Sequence, residues 1–213
     1  MKKRILCYGD SNTWGYIPGE GARYPKDVRW TGVLADRLGE DYEIIEDGIN
    51  GRTTIYEPGW GECRNGKEGL KYALLSCYPL NGLVLMLGTN DLSLHDAAFA
   101  CKGMSELLRI AKNADYYFRV GIPVFNEGSK ILLIAPPEIG EGEELDPLYV
   151  RGPEESKKFA SLFKKLAEDN GVAFLNAADY AQPSGIDHIH LSQESHEALG
   201  NAVAEKLKEL FEE

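Results

Sequence analysis

Leu83-Val84-Leu85-Met86-Leu87-Gly88-Thr89-Asn90-Asp91 is five apolar residues running straight into a polar turn opened by glycine. The run has no polar face, as expected of a strand buried on both sides. A sheet covered on both sides needs helices above and below it. The sequence to either side supplies them. Trp30, Val33, Leu34 and Leu38 recur at helical spacing, and Gly69 to Cys77 reads as a second helix. Phe99, Met104, Leu107, Leu108 and Ala111 mark a long helix, and Phe159, Leu162, Phe163 and Leu166 another. Strands are expected at Lys3 to Tyr8, Tyr42 to Glu46, Ile131 to Ile134 (stopped by Pro136-Pro137) and Val172 to Leu175. Ser192 is positioned to cap a last helix that turns Leu199, Val203, Leu207 and Leu210 inward. This β-α alternation, five times over, predicts an α/β fold: a five-stranded parallel sheet between two helical layers, with right-handed crossovers.

The chain has 213 residues, 43% of them apolar, enough for one domain with a sizeable core. Its formal net charge of −11 argues against nucleic acid and anionic membrane surfaces as partners. The basic start, Met1 to Arg4, precedes only four apolar residues before Gly9-Asp10, too few for a signal peptide. A cytoplasmic location is the expectation. Cys7, Cys63, Cys77 and Cys101 form no CxxC pair and read as reduced thiols filling core or pocket, with a cysteine nucleophile or zinc site the weaker reading.

In open parallel sheets, sites lie beyond the carboxyl ends of the strands. Three polar turns fall there: Gly9-Asp10-Ser11-Asn12, Gly48-Ile49-Asn50-Gly51 and Gly88-Thr89-Asn90-Asp91. A nucleophilic serine needs a base, a group to orient that base, and donors for an oxyanion. Of the four histidines, two stand in Asp187-His188-Ile189-His190, before the last helix. Asp187 and His190 are three apart, so a tight turn lets the carboxylate meet the imidazole. His188 adjoins Asp187 and points elsewhere. The spacing selects His190 as base. His196 reads as a surface or packing residue, and His95 as a loop residue near the third turn. The backbone N–H groups of Ser11 and Gly51 and the side-chain amide of Asn90 are candidate oxyanion donors. Each piece has an ordinary reading as well: Gly-Asp-Ser-Asn as a plain turn, Asn90 as an Asx-turn, Asp187 as a cap, Gly51 as backbone geometry. Their joint occurrence at successive strand ends favours chemistry.

These blocks resemble the SGNH (GDSL-type) hydrolase superfamily, whose four motifs are read here in Gly9-Asp10-Ser11, in Gly51, in Gly88-Thr89-Asn90-Asp91 and in Asp187-His188-Ile189-His190. The resemblance implies a flavodoxin-like three-layer fold. It implies Ser11 as nucleophile, His190 as base, Asp187 as its orienting acid, and Ser11, Gly51 and Asn90 as the oxyanion hole, with no metal or organic cofactor. Arg4 to Gly15 and Asp27 to Ala35 look like the arylesterase/acyltransferase branch. That likeness implies a small-molecule ester substrate, acyl transfer to alcohols as a further capacity, and a homo-oligomer. Asn12 stands where the common motif has leucine. Asn12 and Trp14, next to the nucleophile turn, are expected at the substrate; Trp14 reads equally as core. The segments from Ile55 to Asn65 and from Pro137 to Pro153 are where substrate walls are expected. Two other readings share these strand ends: a carbohydrate O-acetylesterase with the same catalytic residues, and a non-catalytic α/β ligand-binding module. The second fits less well, since no glycine-rich phosphate loop is present.

Overall fold

The computed structural model describes residues 2–212, apart from the side chain of Glu127. Strand β1 (Lys3–Gly9) leads through α1 (Ser11–Trp14), a single turn, to α2 (Trp30–Leu38) and β2 (Tyr42–Gly48). Helix α3 (Gly66–Cys77) connects β2 to β3 (Leu80–Met86). Helices α4 (Ala97–Lys112) and α5 (Ala114–Phe118) precede β4 (Phe125–Ala135). Helices α6 (Gly152–Ser156) and α7 (Phe159–Asn170) precede β5 (Ala173–Asn176), and α8 (Gln193–Glu212) is last. All pairings are parallel, in the order β2-β1-β3-β4-β5.

The run at Leu83 shows why its residues are all apolar. Side chains alternate across a strand. Leu83, Leu85 and Leu87 face one core, with Met104, Leu107, Leu108, Phe159 and Phe163 from α4 and α7. Val84 and Met86 face the other, with Trp30 and Leu34 of α2 and Leu199, Val203 and Leu207 of α8. Each such side chain, fully buried, stabilises the fold by roughly 1.5–3 kcal/mol relative to exposure. Ser192 caps α8 through its Oγ, which accepts from the Ser195 N–H at 3.3 Å.

Strand β4 begins six residues before the expected Ile131. Its pairing to β3 jumps from Leu80–Phe125 to Gly82–Lys130. Residues 126–129 therefore fall in a register shift, where apolar alternation is lost. Among the described residues, no helix is long and apolar enough to cross a membrane. The order places a switch between β1 and β3, where the chain winds outward in both directions. A crevice opens at that point, beyond the carboxyl ends. Gly9-Asp10-Ser11 and Gly88-Thr89-Asn90 follow the two strands that flank it.

Candidate active site

The Gly9-Asp10-Ser11-Asn12 turn is built by close approach. A Cβ on Gly9 would lie 2.1 Å from Thr13 Oγ1, so α1 can fold back against β1 only over glycine. Asp10 caps α1, its Oδ1 accepting from the Asn12 N–H at 2.9 Å. Burial raises the Asp10 carboxyl to about 6, against the pull of the Asn12 N–H, His190 and Arg52. Ser11 follows as the first residue of α1, so its own N–H has no partner within the helix.

The loop from Asp187 to His190 wraps onto this turn. Asp187 Oδ1 accepts from the backbone N–H of Ile189 at 3.0 Å and of His190 at 2.9 Å. Asp187 Oδ2 lies 2.7 Å from His190 Nδ1, and His190 Nε2 lies 2.9 Å from Ser11 Oγ. A carboxylate only accepts, so Nδ1 carries the proton and Nε2 is left to accept from the serine hydroxyl. Partial burial alone would raise the Asp187 carboxyl. The hydrogen bonds from the His190 ring and from the two backbone N–H groups outweigh it and hold the carboxyl below its ordinary range.

Across the crevice, Gly51 adopts φ +74°, a left-handed conformation, and an added Cβ would lie 2.7 Å from Trp60 Nε1. Asn90 Nδ2 donates to the carbonyl of Arg52 at 3.0 Å, while Asn90 Oδ1 accepts from Tyr149 OH at 2.9 Å. The Arg52 guanidinium is buried under the site. It stacks 3.9 Å over the Tyr8 ring and donates to Gly9 O at 2.8 Å and to Asp47 Oδ1 at 2.7 Å. The second strand-end turn is thus tied to the first through Arg52 and to the third through Asn90. Asp91 adds a clasp, accepting from the Thr54 N–H at 3.0 Å and from the Thr54 hydroxyl. Burial raises its carboxyl to about 7; the Thr54 hydrogen bonds oppose that rise.

Together these groups enclose a cleft of about 380 Å³ that contains Ser11, Gly51, Asn90, Asp187 and His190. Both segments expected to wall it contribute. Trp60 belongs to the first, and Glu144, Asp146, Leu148 and Tyr149 to the second. Two expectations need correction. Asn12 is buried, with its Nδ2 donating to Ile189 O at 3.3 Å and its Oδ1 accepting from the Leu191 N–H at 3.0 Å. It fastens the histidine loop to the Ser11 turn and does not line the cleft. Trp14 is also outside the cleft lining. Its ring sits under the Arg23 guanidinium at 5.2 Å, and the wall is Tyr16, stacked on His190 at 4.2 Å. Gly15, left-handed, separates the two aromatics and turns the second one inward.

The remaining histidines sort by their surroundings. His188, at φ +63°, faces the 137–153 loop: its carbonyl accepts from the Gly140 N–H at 2.8 Å, and its Nε2 lies 3.5 Å from Glu144 Oε2. His196 is wholly buried, its Nδ1 accepting from the Trp30 N–H at 3.3 Å, and burial pushes it down to about 4. His95 stacks on Phe99 at 3.8 Å. Arg52, Tyr16 and Tyr149 had no role assigned from sequence. Arg52 had a signal, its place inside Asn50-Gly51-Arg52-Thr53-Thr54; Tyr149 had none, because its partner lies 59 residues away.

Residues 7–198 match the GDSL-like lipase/acylhydrolase family. The chain belongs to this family. It is therefore a carboxylic ester hydrolase of the SGNH superfamily, with the serine block, glycine, asparagine and histidine block of that superfamily at one cleft. Solved structures agree across the whole chain. A carbohydrate acetylesterase from Sinorhizobium meliloti is 37% identical at a TM-score of 0.91, covering 99% of this chain and 100% of its own. The M. smegmatis aryl esterase is 34% identical at a TM-score of 0.89, covering 98% and 99%. A carbohydrate acetylesterase family member, also from S. meliloti, is 32% identical at 0.91, covering 99% and 100%. No curated protein sequence matches this SGNH hydrolase.

Proposed function

We propose that this SGNH hydrolase cleaves short-chain or aryl esters through an acyl-enzyme on Ser11. The observation that carries the reading is the unbroken line Asp187 Oδ2, His190 Nδ1, His190 Nε2, Ser11 Oγ, with contacts of 2.7 and 2.9 Å. Ser11 Oγ attacks the ester carbonyl carbon as His190 Nε2 takes its proton. Asp187 stabilises the imidazolium and keeps the ring in the tautomer that can accept. The carbonyl oxygen, now an anion, is held by the Ser11 and Gly51 N–H groups and the Asn90 amide, each such donor contributing about 3–4 kcal/mol in the transition state. His190 returns the proton to the departing alcohol. Water then attacks the acyl-enzyme, with His190 again as base, and releases the acid and free Ser11. An alcohol taking the place of water gives acyl transfer.

The cleft of about 380 Å³, walled by Tyr16, Trp60 and Tyr149, suits a small acyl group with an aromatic or ring-shaped alcohol. A second reading, removal of O-acetyl groups from a sugar, is favoured by the half-exposed Trp60 beside Glu144 and Asp146. An apolar face with adjacent carboxylates can stack a sugar ring and accept from its hydroxyls. Turnover of p-nitrophenyl acetate by wild type and Ser11→Ala tests the chemistry, and equal rates in both would overturn it. Phenyl acetate against acetylated xylose separates the two readings. Product analysis with added butanol measures the share of acyl groups passed to an alcohol.

A further inference from the structure

We infer that Tyr149 is a positioning residue for the oxyanion hole: its hydroxyl fixes the Asn90 amide in the orientation that turns an N–H toward the reacting carbonyl. This rests on the esterase reading above and adds a residue from the wall loop to its machinery.

An asparagine amide can flip, exchanging its oxygen and nitrogen. Here both ends are constrained. The carbonyl of Arg52 can only accept, so it takes the NH₂ end, at 3.0 Å. Tyr149 OH donates to the oxygen end, at 2.9 Å. One amide N–H is thereby spent on Arg52 and the other is left for the cleft that Asn90 lines. Asn90 and Tyr149 are both nearly inaccessible, so water does not readily replace the phenol. A hydrogen bond received at the amide oxygen also draws charge from the nitrogen and strengthens its N–H as a donor. The phenol is protonated at neutral pH, and burial pushes it further up.

The loop that carries Tyr149 is itself anchored. The Tyr149 N–H donates to Asp146 O at 2.8 Å, and Asp146 Oδ1 accepts from the Leu148 N–H at 2.9 Å. Beyond it, Glu155 of α6 accepts from the Ala97 N–H at 3.0 Å, and Ser156 Oγ accepts from the Ile139 N–H at 2.9 Å. The same turn presents Leu148 and Asp146 to the cleft. Substrate wall and oxyanion donor are therefore set by one segment.

The test is Tyr149→Phe in wild-type and Asn90→Ala backgrounds, with rates expressed per active site titrated by diethyl p-nitrophenyl phosphate. In the wild-type background kcat for p-nitrophenyl acetate should fall about tenfold with KM changed less than about twofold. In the Asn90→Ala background the same change should cost less than about twofold, because the group it positions is gone. An unaltered kcat, or equal losses in both backgrounds, would overturn the inference. A second readout is independent of turnover: the side-chain ¹⁵N–¹H signals of Asn90, identified by their loss in Asn90→Ala, should shift and exchange faster in Tyr149→Phe. Unchanged signals would overturn the positioning role. Absence of Ser11-dependent turnover in wild type would instead break the esterase reading, leaving the amide readout to decide the role of Tyr149.

Discussion

The two sides of the cleft are built differently. On the side proposed to handle the proton, Asp187 and His190 belong to one four-residue turn that closes on itself through its own backbone N–H groups. On the side proposed to hold the oxyanion, Gly51, Asn90 and Tyr149 come from three separate loops joined by a relay. Tyr149 donates to Asn90, Asn90 to Arg52 O, and the Arg52 side chain to Gly9 O. The Asp187–His190 pair is local, and outside its own turn it depends on Asn12, which holds the histidine loop against the Ser11 turn. The second side is only as well placed as the strands that carry it, so residues remote from it are able to change the chemistry.

The contrast can be broken most severely at His190. His190→Ala should lower kcat/KM for p-nitrophenyl acetate by at least about 10⁴-fold. If His188→Ala produced that loss and His190→Ala did not, the proton-handling side would have been read wrongly. Asn90→Ala should cost about 10²–10³-fold, mostly in kcat, because the donor acts on charge that develops in the transition state. A change confined to KM would show that Asn90 only binds ground-state substrate. Gly51→Ala should lose about 1–3 kcal/mol of stability in denaturant melts, since the left-handed backbone there disfavours any Cβ. Unchanged stability would mean that the turn relaxes freely and the relay is looser than its geometry.

His196 sharpens the comparison with a smaller effect. It lies six residues beyond His190, yet among the described residues it has no carboxylate partner, and burial pushes it down to about 4. Its folded pKa lies below the unfolded value near 6.5. The unfolded state then binds more protons between those values, so this group's contribution to stability falls as pH drops from about 6.5 toward 4. His196→Gln keeps an acceptor for the Trp30 N–H and removes the titration. Wild type minus variant stability, from urea melts at pH 8, 6.5 and 5, should decline toward the acid end. A flat difference would mean that the imidazole is protonated in place. The smallest effect is expected at His188→Ala, within about threefold of wild-type activity, in the range of changes that leave the reacting groups untouched.

Much of this was legible along the chain. The run at Leu83 to Leu87 implied a doubly covered strand because side chains alternate, and both faces of it proved to be core. The three polar turns followed from where those strands end. Asp187 and His190 were legible because three residues is the reach of a single turn. Asn12 and Trp14 were misplaced for the opposite reason. Adjacency to Ser11 fixes their position along the chain but not the side of the turn they occupy. The partners that decide it are Ile189 and Leu191 for Asn12 and Arg23 for Trp14.

The sequence by itself determined the parallel sheet, the order of the four motif blocks and the pairing of Asp187 with His190. Each depends on interactions within a strand, a helix turn or a tight loop, and these leave a period or a spacing to read. Only the tertiary structure decided that Arg52 lies beneath the site, that Tyr16 walls it and that Tyr149 grips Asn90. Contacts between residues some 40 to 60 apart, such as Arg52 with Gly9 and Tyr149 with Asn90, depend on strand register and on the path of the 137–153 loop. Neither leaves a periodic trace in the chain.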